Sequence, residues 1–275
     1  MPETSIIETV LKRDRWIVIA GLAAVIVLSW IYILAGAGVG MSPFELTKLT
    51  APLPKAQDGA LATMMQPALW TPGYAVFMFL MWWVMMLAMM LPSASPMILL
   101  FAVFNRKQRS QGSPFVFTGV FAAGYLIIWG AFSLLATGFQ WGLERVGVLS
   151  AMMASTSGFL GGFLLIAGGV YQFTPLKHAC LRHCRSPIQF LTQHWRTGSL
   201  GALRMGIEHG SYCVLCCWTL MVLLFVGGIM NLFWIVGLAV YVLLEKTIRA
   251  GHRLGSITGI CLIACGGWVV IGTLF

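Results

Sequence analysis

The segment His209-Gly-Ser-Tyr-Cys213-Val-Leu-Cys216-Cys217 carries one imidazole and three thiols within nine residues. On a helix with His209 at zero, Cys213, Cys216 and Cys217 project at about 40°, −20° and 80°. These four soft donors share an arc of about 100° over two turns, with Met205 beside them at about −40°. Imidazole with thiolate suits zinc, Cu(I) or iron–sulfur chemistry, and a thioether shifts the balance towards Cu(I). The competing reading is that cysteines in an apolar helix pack as small hydrophobes.

Four further cysteines form two pairs with the same four-residue spacing. Cys180 and Cys184 bracket His183 in a basic segment that also holds Lys177 and His178. They add two candidate ligands, and the alternative is a basic segment facing anionic lipid. That segment is compatible with a short interfacial helix turning Phe190, Leu191 and Trp195 to the bilayer. Cys261 and Cys265 enter the last apolar run at a depth similar to Cys213 and Cys217, so a shared site across two helices competes with packing.

Seven of the 16 methionines fall between Met78 and Met97. Met85/Met89 and Met86/Met90 each have the Met-x3-Met spacing that stacks thioethers on one helix face. The spacing is similar to that of copper-transporter-family helices. Thioethers bind Cu(I) and scarcely bind hard ions, so the stripe predicts passage of a soft monovalent ion. Met is also a flexible filler of irregular helix contacts, which is the competing explanation.

The elements that position these groups follow from composition. The chain has 275 residues, 59% hydrophobic and 9% charged. Soluble domains carry about a quarter charged residues, so the composition argues against a water-soluble globular enzyme. The net charge of +9 sits in short clusters between long uncharged runs rather than along one polar face, which argues against a nucleic-acid partner. The runs predict an all-α, polytopic transmembrane bundle of about seven spans near 16–35, 74–104, 115–139, 158–173, 207–226, 232–244 and 257–274. Pro92 and Pro96 predict a kink or break in the second span. Gly227, Gly228 and Asn231 divide the 209–244 run into a tight hairpin.

Apart from Lys48, Lys55 and Arg145, every basic residue falls in the N-terminal segment or in alternate loops. The positive-inside rule then places the N-terminus in the cytoplasm and the C-terminus outside. Residues 40–72 become an external loop with an interfacial segment near 60–68, and 174–206 a basic, Cys/His-containing cytoplasmic loop. All seven cysteines lie on the cytoplasmic side, where thiols stay reduced. The first apolar core, at about 20 residues, exceeds a secretory signal core of about 7–15, and reads as a retained anchor.

Glu208 and Glu245 sit at inner span ends, where they can pair with Arg204 or Lys246. Glu245 can also orient His209. No Ser-His-Asp pattern, carboxylate pair or phosphate-binding glycine loop is present, so no catalytic residue is assigned.

Four segments in this order carry a resemblance: Met85-Met-Leu-Ala-Met-Met-Leu-Pro92, Thr174 to Pro187, His209 to Trp218, and Leu243-Leu-Glu245-Lys246. Together, from about Gly73 to Arg253, the chain resembles a bacterial family of predicted metal-binding integral membrane proteins, a domain of unknown function. The resemblance implies metal binding and a bacterial inner-membrane setting, and supplies no reaction.

The expectation is a multi-pass inner-membrane protein in contact with the lipid bilayer that binds a soft metal for transport, relay or delivery. Copper fits the donors best, with zinc or iron as alternatives. The expected partner is a metal chaperone or a membrane complex. Two other readings compete: a metal-free structural subunit, and a membrane oxidoreductase holding metal or haem.

Overall fold

The structure, a computed structural model, describes residues 3–37, 69–109, 116–147, 149, 158–248 and 250–274. Its elements among these residues are helices, as the apolar runs require. In chain order they are α1 (Glu3–Leu34), α2 (Pro72–Arg109), α3 (Thr118–Arg145), α4 (Gly158–Tyr171) and α5 (Pro175–Arg185). Then follow α6 (Pro187–His194), α7 (Gly198–Val222), the single turn α8 (Leu224–Gly227), α9 (Leu232–Thr247) and α10 (Gly251–Leu274). The expected external loop lies almost wholly outside the described residues, as does its 60–68 segment.

Among the described residues, five helices are long and apolar enough to cross a membrane: Trp16–Leu34, Pro72–Gln108, Thr118–Arg145, Gly198–Gly227 and Gly251–Leu274. A sixth arises if α4 and α5, bent by 65° at their junction, count as one broken span. Helices occupy all seven expected positions. However, α4 has 14 residues and α9 has 16, short of the roughly 20 that a straight crossing takes.

The central helix is α2, which packs against α1, α3, α6 and α9. Its 38 residues span about 57 Å, so it projects well past a hydrocarbon layer of about 30 Å. Of the expected kink or break, the break does not occur: α2 runs unbroken through Pro92 and Pro96. Ser93 and Ser95 donate their hydroxyls back to the Met90 and Leu91 carbonyls, at 2.9 and 2.7 Å. Hydroxyl back-bonding of this kind helps an apolar helix tolerate proline where backbone groups lack water.

Glycine sets the closest helix contacts. A Cβ on Gly206 of α7 would overlap the Phe121 carbonyl of α3, and one on Gly124 would overlap the Leu203 carbonyl in return. Between α4 and α10 the same reciprocity holds. A Cβ on Gly266 would stand 2.7 Å from the Gly162 oxygen, and one on Gly162 would stand 2.8 Å from the Gly266 oxygen. Small residues let backbones approach in this way where apolar helices gain little from burial itself.

The 174–206 stretch holds the helices α5 and α6 and the start of α7. Thr174 caps α5 by accepting from the Lys177 amide at 3.3 Å, and proline opens both α5 and α6, where its missing N–H is harmless. Phe190 and Leu191 are fully buried, so they face the bundle and not the bilayer as expected from an interfacial helix. Trp195 stacks on Phe101 of α2 with centroids 5.6 Å apart. The reason is that α6 packs onto α2 and closes one end of the bundle.

Neighbouring glycines on α10 test this packing. Gly266→Ala is expected to destabilise the detergent-purified protein by about 1–3 kcal/mol through overpacking. Gly267, with open space around it, should accept alanine neutrally or gain up to about 1 kcal/mol in helix propensity. Thermal unfolding of the two variants side by side reads the difference.

Candidate metal centre

Helix α7 presents His209, Cys213, Cys216 and Cys217 on its buried face, each 3% exposed or less. Helix α5 leaves α4 at the 65° bend and packs along α7. That turn brings Cys184 beside Cys213 and Cys216. Cys217 is likewise in contact with both. Four thiols from two helices therefore form one group.

Around the sulfurs the structure supplies both hard and soft neighbours. Cys213 Sγ shares a hydrogen bond with the Tyr125 hydroxyl of α3 at 3.1 Å. Met90 of α2 brings its thioether to 4.0 Å from Cys217 Sγ. The thiols of Cys216 and Cys217 donate to the Cys213 carbonyl at 3.1 and 3.0 Å. His209 lies in an aromatic surround, with ring centroids 5.6 Å from Phe190, 5.8 Å from Tyr125 and 6.2 Å from Phe121.

Lys246 is the residue that spacing rules miss. Its ammonium, on a side chain only 8% exposed, donates to Cys213 Sγ at 3.0 Å and to Ser93 Oγ at 3.1 Å. An ammonium at this distance complements a thiolate, the form of cysteine that binds metal. Glu245 does not pair with Lys246 and does not orient His209, contrary to both expectations. Consecutive helical residues point about 100° apart, so Glu245 faces α5 instead. There it accepts from Lys177 at 2.7 Å and from the Tyr241 hydroxyl at 3.2 Å. Lys177 also donates to Gln172. Glu208 pairs with neither Lys246 nor Arg204 but with Arg196, at 2.6 Å on the exposed side of α7. A lysine one step from a carboxylate at the end of an apolar run is the signal that could have drawn attention to Lys246.

The remaining expected ligands divide. Cys180 is buried and is an electrostatic neighbour of Cys216, beside the thiol group. Cys261 and Cys265 are exposed on α10, so they do not join the site. Met85, Met86 and Met89, like Met90, are fully buried.

Among the described residues, no three His, Cys, Asp or Glu side chains already converge tightly enough to hold an ion. Their chemistry still fits one. His209 Nδ1 is buried without a hydrogen-bond partner, a costly state for a polar atom. It lies one helical turn from Cys213, on the face that gathers the thiols.

A family model described as PpoB2, copper chaperone, matches residues 79–269, which include every residue of this centre. The chain belongs to that family. No curated protein and no solved structure matches it.

The Lys177–Glu245 pair, both side chains 1% exposed, yields a stability test. Lys177→Met strands a buried carboxylate and should cost about 3–5 kcal/mol. Adding Glu245→Gln removes the stranded charge and should restore most of that loss. Denaturant unfolding of the single and double variants gives both numbers.

Proposed function

We propose that this member of the copper chaperone family is a membrane-embedded carrier of Cu(I), holding the ion on the α7 thiols and passing it to an acceptor protein. The observation that carries the reading is the group of buried Cys213, Cys216 and Cys217 with half-buried Cys184 beside them and the unpartnered His209 nitrogen next to it. Copper here is cargo. The positive-inside expectation puts the thiols at the cytoplasmic side of an inner membrane.

Charge balance supports a monovalent ion. Two thiolates around Cu(I) sum to −1, and Lys246 restores neutrality inside an apolar bundle. A divalent ion on the same two thiolates would leave the ammonium uncompensated, which a buried site disfavours strongly. A haem oxidoreductase would instead need buried imidazoles on facing helices, and of the five histidines only His209 is buried.

The methionines of α2 extend the reading. Met78 lies 3.6 Å from Gln140 Nε2, which also donates to Glu144 at 2.9 Å. Met90, more than three helical turns further along the stripe, lies against Cys217. The stripe thus connects a polar group near one face with the thiols, the placement a thioether relay requires. Complete burial of Met85, Met86 and Met89 suits helix packing equally, so relay and site are separable proposals.

Elemental analysis of protein purified anaerobically from copper-grown and zinc-grown cells tests the site. Wild type should retain near-stoichiometric copper, and Cys213→Ser with Cys217→Ser should abolish it; unchanged copper in that variant sinks the proposal. Lys246→Met should shift the copper-to-zinc ratio at least about tenfold towards zinc, a change of about 1.4 kcal/mol. Met85→Leu with Met89→Leu should leave retained copper intact and slow its uptake if the stripe is a relay.

A further inference from the structure

Outside the thiol group, His183 of α5 and His194 of α6 bring two imidazoles to a ring-centroid separation of 6.2 Å. Both rings are held in place. His183 stacks on Tyr212 with centroids 4.3 Å apart and planes 6° from parallel, and its Nδ1 lies 2.9 Å from the Ala179 carbonyl oxygen. His194 stacks on Phe190 at 4.9 Å and 16°, with Nδ1 3.2 Å from the Phe190 carbonyl oxygen. A carbonyl only accepts, so each Nδ1 is a donor, and in the neutral tautomer this selects, Nε2 is the nitrogen open to a metal. Metal-binding imidazoles are fixed by this same bond from the nitrogen that does not ligate.

We propose that His183 and His194 form a second Cu(I) site, a transfer station between the buried thiols and an acceptor. The proposal rests on the thiols being the first copper site. An ion about 2 Å from each of two imidazole nitrogens sets the ring centres about 6 Å apart. Two ligands suit a soft monovalent ion, whereas zinc takes four. Among the described residues, no third His, Cys, Asp or Glu joins them to make a fuller set.

The pair is also placed for transfer. His183 precedes Cys184, whose thiol contacts Cys213 and Cys216, so one residue step of α5 separates the two donor groups. Tyr212, on which His183 stacks, precedes Cys213. A cavity of about 320 Å³ lined by His183, Arg182, Gln189 and Gln193 opens beside the ring, and both imidazoles are half-buried.

Anaerobic titration of the full chain in detergent with Cu(I), against a colorimetric Cu(I) chelator, tests the site. Wild type should bind two equivalents. His183→Gln with His194→Gln should bind one and release it to the chelator at least tenfold more slowly. His194→Gln alone keeps the His183–Tyr212 stack and should show the same loss, which guards against misfolding of the double variant. Purification empties the half-buried histidine site and leaves only thiol-held copper, whereas titration refills it, so in titration Cys213→Ser with Cys217→Ser should keep one equivalent, with only nitrogen neighbours of copper by X-ray absorption. The similarly spaced His178 and His252, 6.1 Å apart with His252 exposed, provide the control: changing both to Gln should alter neither stoichiometry nor rate. Unchanged stoichiometry and release in the His183/His194 variants overturn the second site alone. Unchanged binding in the cysteine variant overturns the first.

Discussion

Lys246 places a positive charge inside an apolar bundle, and its polar partners among the described residues are a sulfur and a hydroxyl. A buried ammonium must be answered by negative charge or by close hydrogen bonds. Glu245, its immediate neighbour, is not available, because Lys177 holds that carboxylate on another face of α9. The burden therefore falls on Cys213, and the geometry of the inner layer follows. Helix α5 has to fold back across the bundle end to bring Lys177 to Glu245, and the same turn delivers Cys184 to the thiols. Were Glu245 to pair with Lys246, Cys213 would lose the cation that complements its charged form. The two lysines thus act together: one occupies the carboxylate so that the other can face sulfur.

Two kinds of seam surround this layer. The glycine contacts of α3 with α7 and of α4 with α10 bring backbones close enough that a single methyl group would collide. Such seams have little room to shift. The α2 seam is filled by unbranched thioether side chains, which repack readily. The side of the thiol group facing α2 is therefore adaptable, while α7, which bears most of the ligands, is held against α3. A centre that must gather donors round an ion and later release it needs this mixture of fixed and yielding walls.

Much of the bundle was legible because hydrophobic runs and loop charges report helix positions directly. The hairpin at Gly228, with its φ of +93°, and the shared face of His209, Cys213, Cys216 and Cys217 could both be read from spacing within one segment. What failed depends on contacts between segments. Phe190 and Leu191 read as membrane-facing because periodicity shows that a face is apolar and not what covers it. The separation of Cys261 and Cys265 from the thiols reflects the rotation of α10 about its own axis, which matching depth does not determine. The partners of Glu245, Lys246 and Glu208 were misassigned for the same reason: neighbours in sequence diverge on a helix, so each charge met a partner from a distant element. The proline rule left a kink and a break open for α2, and the serines beside the prolines are what favour continuity.

The brevity of α9 reaches beyond the fold. At 16 residues it measures about 24 Å, against a hydrocarbon thickness of about 30 Å, and its neighbour α2 is more than twice as long. In a bilayer this mismatch is met by local thinning or by headgroups and water dipping towards the shorter helix. Lys246 lies in the last turn of α9, so the dip would occur next to the thiols. In such a bilayer, depth counted along α2 or α7 would put the sulfurs well inside, whereas measured from α9 they would be shallow, with a wet, polar interface close to an ion held there.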